Sequence, residues 1–545
     1  MWSYDKTIKK GEFIMNNENI NLLKVRHDTG HLELEYDEKQ KVFHIKGRKT
    51  SPWIFDKGSG GITHSQLRKT IEPWLTSLFQ SEHLSLLVGS GLSYAAAGIV
   101  RKVNGNTDSG GSCDKAAKDK DITNDNNLET KRNDKRLSAN IMNAPILEEK
   151  DTKYAKLINQ FAKKSAEKNK RGSVNIEDNI RVINDLLRGL EILGHNPIEE
   201  DFDESSDVKK EDYKAYQELD EKFQEMLNNF VTSVIELESE IANVENENHE
   251  VAFNYLVSFL MSFASRTGTR ERLNIFTTNY DRLIEEGAEI AGLRLIDRFV
   301  GMLSPIFRST RLDIDMHYNP PGIRGEPRYL EGVVKFTKLH GSLDWICIGD
   351  EIRRIGLPFG VKDFKKFLEA SGFKDKDVKR IMIYPNSAKD RETAEYPYVE
   401  LFRDFAAALC RPNSTLVTYG FGFGDEHINR IIKDMLTIPS THLVVISYSD
   451  IDSRIMNRIN EFGRPSQISY IIGKNLADIK VLVDYFLPNP SIDRFSIRMS
   501  EILRRRYFNP DDRKTDNDLP IGDEPKVDSL AQADFGDDYN HDDSY

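Results

Sequence analysis

With 545 residues, 39% of them apolar and 30% charged, the chain has the length of several domains, or of one domain with large insertions, and the material for a sizeable core. Residues 509–545 hold twelve acids against three bases, a net of −9, so only −3 of the total charge of −12 falls on residues 1–508, which argues against a dominant nucleic-acid surface. Three scattered cysteines (Cys113, Cys347, Cys410) without a Cys-x-x-Cys exclude a four-thiolate zinc site within one chain and suit a reducing, cytoplasmic compartment.

Residues 1–62 read as an appendage, with Met1–Ile14 as leader or upstream sequence and Met15 as an alternative start. His31–Tyr36 alternates cleanly, Asp37–Lys41 suits a turn and Val42–Ile45 returns, which predicts a small hairpin. Leu67, Ile71, Trp74, Leu75, Leu78 and Phe79 follow helical spacing, with Pro73 marking a kink or a late start. Leu84–Val88 is then a short apolar run ending abruptly in Gly89-Ser-Gly-Leu-Ser93, the pattern of a buried parallel strand turning into a helix. Gly89 and Gly91 permit a tight turn whose backbone lies close to a ligand, and the small residues after Ser93 let a helix start with its unpaired amides facing a phosphate. An ordinary strand-to-helix turn has the same pattern, so the later stretches decide.

Val100–Ala144 is rich in Asn, Asp, Lys, Gly and Ser without a sustained apolar period, as in a disordered or long surface loop. Helical patterns follow: Ile180, Ile183, Leu186, Leu187 and Leu190 form one stripe, and Tyr213–Val244 is a long amphipathic stretch. Val251–Ala264, the longest apolar stretch, is too short for a bilayer and is broken by Asn254, Ser258 and Ser262. It reads as a buried helix, and no signal peptide precedes it.

Further strands are predicted at Leu273–Asp281, Val333–Ser342, Thr415–Tyr419, His442–Ser447 and Ile468–Ile472, with helices at Arg282–Ala291 and from Glu426. Strands alternating with helices imply an α/β fold with a doubly wound, Rossmann-like parallel sheet. Ligands of such sheets lie beyond the carboxyl ends of the strands. Here those ends carry small or polar residues: Gly89-Ser-Gly-Leu-Ser93, Thr277-Thr-Asn-Tyr-Asp281, Leu339-His-Gly-Ser342 and Gly420-Phe-Gly-Phe-Gly424. A last helix is expected over Ser491–Tyr507, where Arg504–Arg506 favour its negative end, followed by a disordered acidic tail.

The four motifs, in this order, resemble the sirtuin-like, NAD-consuming fold, particularly its bacterial antiphage-defence branch. The resemblance covers about residues 64–98 and 250–487. It implies a sirtuin-like NAD-binding domain over 63–98 plus 250–487, interrupted by a loop and helical insertion over 99–249. The remaining divisions are the appendage over 1–62, a C-terminal helix over 488–508 and the tail over 509–545. Carried over, Gly89, Ser90, Gly91 and Ser93 match the turn that holds the NAD phosphates. Thr278, Asn279 and Asp281 fall in the motif that contacts the nicotinamide ribose and places the attacking group. His340 matches the histidine that acts as general base toward the ribose hydroxyls. Gly420, Phe421 and Gly422 match the loop along the adenosine side, and Ser447 falls near the base or its ribose.

The chemistry needs these residue types whatever the family. Cleaving ribose from nicotinamide leaves a cation-like sugar centre, so the protein must supply position, a polar amide and an imidazole to take a proton, without a metal. Asn279 and His340 are the expected catalytic pair. Plainer roles compete: a helix cap for Asn279, a favourable charge at a helix start for Asp281 and an ordinary hydrogen-bonded histidine for His340.

Where sirtuin deacylases continue with Gly-Ile-Pro-Asp-Phe-Arg, this chain has Gly98-Ile-Val-Arg101. It also lacks their four-cysteine zinc ribbon, and Trp345–Arg380 shows no peptide-binding features. Water is therefore the expected acceptor and NAD hydrolysis the expected reaction. Deacylation or ADP-ribosyl transfer to a protein is one alternative, and a non-catalytic NAD or ADP-ribose scaffold is another. The resemblance further implies a gated, homo-oligomeric enzyme with a ring-forming ATPase partner or a phage-derived activator.

Overall fold

The computed structural model describes residues 20–46 (26, 27 and 29 excepted), 61–101, 146–168 (149 excepted), 174, 176–194, 207–265, 271–310, 314–318, 328–348, 351–362, 366–367, 396–450 and 453–488. The expected leader, most of the loop over 100–144, the helix over Ser491–Tyr507 and the acidic tail lie outside the described residues.

The chain opens with β1 (Ile20–Lys24), β2 (Leu32–Asp37) and β3 (Val42–Ile45), followed by α1 (His64–Phe79), β4 (His83–Val88) and α2 (Gly91–Arg101). Three helices come next, α3 (Ala155–Lys168), α4 (Ile176–Gly194) and α5 (Asp207–Ile241), then α6 (Asn248–Ala264), β5 (Leu273–Thr277) and α7 (Leu283–Ile290). Short strands follow: β6 (Arg294–Ile296), β7 (Phe299–Val300), β8 (Ile306–Phe307), β9 (His317–Tyr318) and β10 (Arg328–Tyr329). The chain then runs through β11 (Val333–Lys338), β12 (Trp345–Ile348), β13 (Glu351–Arg354), α8 (Tyr398–Leu409), β14 (Ser414–Tyr419), α9 (Glu426–Met435), β15 (His442–Ser447), α10 (Arg454–Phe462) and β16 (Ile468–Ile472).

Ten strands form one sheet in the order β3-β2-β1-β16-β15-β14-β4-β5-β11-β6. From β16 to β6 every pairing is parallel. Strands β5, β14 and β16 are buried at every residue, as strands covered on both faces must be. The alternation of β4 divides the core: Leu84, Leu86 and Val88 pack with α1, α2 and α6, while Leu87 packs with α8, α9 and α10 on the other face. This is the doubly wound α/β architecture expected from the alternation of strands and helices.

The hairpin β2–β3 does not stand apart. Strand β1, for which the sequence gives no pattern beyond a short apolar run, pairs antiparallel with both β2 and β16 and carries the hairpin onto the main sheet. Helix α1 runs through Pro73 instead of starting after it, and Thr63 caps it together with Gln66 in a reciprocal capping box. Strands β12, β13, β8 and β7 form a small separate sheet around Trp345, Phe299 and Phe307. Helices α3–α5 share a third apolar cluster that takes in Tyr280, Leu343 and Leu357, so the insertion packs directly on the loops after β5 and β11. Among the described residues no helix is long and apolar enough to cross a membrane.

Candidate functional site

Strand β4 comes first in the α/β unit and has β14 on one side and β5 on the other. The chain therefore leaves β4 toward one half of the sheet and returns on the other, which opens a crevice at its carboxyl end. The turn after β4 and the loops after β5, β11, β14 and β15 all reach this edge.

Two glycine turns meet there, backbone against backbone. The Gly91 amide donates to the Gly420 carbonyl at 3.1 Å, and Gly420 has φ +60, a conformation that favours glycine. A Cβ on Gly89 would lie 2.4 Å from the Gly420 oxygen, and one on Gly91 2.5 Å from the Gly420 Cα. Alanine at Gly91 is thus expected to force the turns apart, lowering stability by about 1–3 kcal/mol. Gly422→Ala is the control, because its Cβ would meet only the Arg454 side chain, at 3.7 Å. Thermal unfolding checks both variants.

The loop after β5 folds back onto the β4 turn. Asn279 Nδ2 donates to the Gly89 carbonyl and to Ser93 Oγ, both at 3.1 Å. Ser93 Oγ donates to Asp281 Oδ2 at 2.7 Å, and Asp281 Oδ1 accepts the Leu283 amide at 3.2 Å. Asn279 is 6% exposed and Ser93 3%, so this network is shielded from water, where such bonds are stronger. The Asn279 carboxamide thus reaches back to the glycine turn, while Asp281 bonds both the start of α7 and Ser93. Thr278 belongs to the same turn, its amide donating to the Val88 carbonyl.

His340 stands at the end of the neighbouring strand. The Leu339 amide donates to Thr277 O at 2.8 Å and the Leu343 amide to Tyr280 O at 3.1 Å, which joins the β11 and β5 loops. Tyr280 flanks the His340 ring at 6.3 Å between centroids. Lys338, 3% exposed, donates to the Asp281 carbonyl at 2.5 Å and pairs with Glu285 at 2.9 Å, so a buried cation braces the same loop. Burial raises the Glu285 carboxyl above its ordinary range, with Lys338 opposing the shift.

A cavity of about 430 Å³ opens beside the glycine turns, within the usual range for small-molecule sites. It is lined by Ser90, Gly91, Gly420, Phe421, Gly422 and Ser447 among the expected residues, and also by Tyr94, Tyr448, Arg454 and Asp478. Burial pushes the Tyr94 hydroxyl above its ordinary range, with the Asp281 charge adding to the shift. Asn279, Asp281 and His340 do not line this cavity. All three are buried: Asn279 and Asp281 bond Ser93 behind the β4 turn, while His340 sits at the neighbouring strand end.

Sequence reasoning passed over Asp425, Arg282 and Glu238. The Asp425 carboxylate is 2.7 Å from His340 Nε2, and the residue also caps α9 through the His427 amide. A cap is what an Asp before a helix ordinarily signals, and nothing local announces the second contact. Arg282 pairs with the buried Glu238 of α5, with Nη2–Oε2 at 2.6 Å. Burial lifts the Glu238 carboxyl to about 7, against the pull of Arg282.

Residues 273–462 match the family model of the SIR2-like domain. The match takes in Asn279, His340, Gly420–Gly422 and Ser447, covers about a third of the chain and leaves the β4 turn outside. A search of curated proteins found no match. Proteins of the SIR2-like family use NAD as substrate, and the doubly wound sheet agrees with that fold. Among the described residues, no group of three or more His, Cys, Asp or Glu side chains is arranged to hold a metal ion.

Proposed function

We propose that the protein hydrolyses NAD to nicotinamide and ADP-ribose. The observation that carries the reading is the meeting, at one sheet edge, of a glycine turn at a helix start with Asn279 and His340 on adjacent strand ends. The amides at the start of α2 and the glycine turns suit a pyrophosphate, and the cavity beside them suits the adenosine half. The nicotinamide ribose then falls toward Asn279 and His340.

The bond from C1′ of that ribose to the pyridinium nitrogen breaks, and its electron pair leaves with neutral nicotinamide. Water adds its oxygen to C1′, and the proton shed at the sugar goes to the His340 imidazole. Asn279, tied to Gly89 and Ser93, holds the ribose or the water in line, so most of its contribution is positional. Ser93 and Asp281 keep that carboxamide in place.

Purified protein incubated with NAD is expected to release nicotinamide and free ADP-ribose in equal amounts with no peptide present. Release that requires an acylated peptide, or label transferred to a protein, assigns the site to deacylation or ADP-ribosyl transfer. Tight NAD binding without nicotinamide release under any activating condition makes it a scaffold. The setting we propose is bacterial antiphage defence, in which a homo-oligomer is released by a ring-forming ATPase partner or a phage-derived activator. A chain that stays monomeric at all concentrations and ignores added partners rules that setting out.

A further inference from the structure

We propose that Asp425 is a positioning residue that fixes the tautomer and orientation of His340. The proposal rests on reading His340 as the proton acceptor of NAD cleavage. His340 leaves β11 and Asp425 leaves the loop after β14, and β4 and β5 lie between those strands in the sheet. The 2.7 Å contact from His340 Nε2 to Asp425 Oδ2 therefore spans the crest of the crevice. The two residues are 7% and 8% exposed, so the contact is protected from competing water.

The carboxylate is itself held. Asp425 Oδ1 accepts the His427 amide at 3.3 Å, and Asn429 Nδ2 donates to the Phe423 carbonyl at 2.9 Å, tying the preceding loop to α9. A carboxylate accepts and does not donate, so Nε2 carries the hydrogen and Nδ1 is the basic nitrogen of the neutral ring. When the ring takes the proton shed at the sugar, the imidazolium that forms already faces a fixed negative charge. That favours the charge developing in the transition state without any reorganisation. The Gly420–Gly424 run thus does more than make room for a ligand, because it delivers a carboxylate to the far side of the crevice.

Two variants test this in the full chain. Asp425→Ser and Asp425→Asn both keep a residue that caps α9, but serine is too short to reach His340, and asparagine reaches it without charge. Imidazole ¹⁵N spectra, with the His340 signals identified by their loss in His340→Gln, are expected to show the Nε2–H tautomer in wild type and a mixture in Asp425→Ser. Turnover is expected to fall about tenfold in Asp425→Ser and less in Asp425→Asn, with NAD affinity by calorimetry unchanged. An unchanged tautomer with unchanged turnover leaves Asp425 as a helix cap and overturns the proposal. A rise in turnover overturns it as well, making the contact a clasp that closes the crevice. Loss of NAD binding together with thermal stability in both variants assigns a structural role instead. If wild type releases no nicotinamide, the hydrolase reading fails on its own, while the spectra still report whether Asp425 sets the ring.

Discussion

His340→Ala is expected to reduce nicotinamide release at least about a hundredfold, the loss typical of a positioned proton acceptor. Asn279→Ala is expected to do the same by another route. Its carboxamide bridges the Gly89 carbonyl and Ser93 Oγ, and Ser93 in turn holds Asp281, so truncation loosens the whole turn after β5. The two losses should not add, because residues that act as a unit fail together. The measurement is nicotinamide release by wild type, each single variant and the double variant, in lysate with and without phage infection. Binding of NAD to each variant is measured alongside. Wild-type turnover in His340→Ala removes the histidine from the mechanism.

The second large effect is on stability. Glu238 is 1% exposed, and its Oε1 accepts the Arg282 backbone amide at 2.6 Å while Oε2 takes Nη2 at 2.6 Å. Arg282 also donates to the carbonyls of Leu357 and Pro358. Above about pH 7, where the carboxyl is ionised, Glu238→Ala leaves a guanidinium buried without its counter-charge, and a loss of about 3–5 kcal/mol is expected. Because Arg282 follows Asp281 directly, the same change should loosen the candidate site. Glu238→Gln keeps hydrogen-bonding groups and should lose less. Its pH dependence has a definite sign. The folded carboxyl, raised to about 7 from an ordinary 4.5, holds a proton that the unfolded one has lost. This group's contribution is therefore full below about 4.5 and is lost as pH rises through about 7. Thermal unfolding across that window should show the fall in wild type and a flatter profile in Glu238→Gln.

The strands that build the crevice were legible because each is a short apolar run stopped by glycine or a polar residue. The runs at Leu84–Val88, Thr415–Tyr419 and His442–Ser447 are observed as strands within a residue or so. Contacts between distant segments were not legible. Glu238 sits in Glu236-Leu-Glu-Ser-Glu240, which on any helix reads as a solvated acidic face, and nothing local announces Arg282 forty-four residues later. Nothing local announces the contact of Asp425 with His340, 85 residues earlier. The Asn279 side chain shows the converse: a cap was a fair reading from position alone, yet its amide points back to the glycine turn. Strands β12 and β13 were missed because each is only four residues long and their packing on Phe299 and Phe307 joins segments far apart in the sequence.

The pairing of β1 with β16 has a consequence for how the protein is made. A strand near the amino terminus must wait for a partner about 450 residues downstream. At ~5–20 residues per second that is roughly 20 to 90 seconds on the ribosome. Until then the growing polypeptide carries an unsatisfied ribbon, and a version lacking it leaves β16 as a raw border on which neighbouring molecules can add. Shortening the protein to its nucleotide-type half should therefore produce clumping in cells before it produces any catalytic defect.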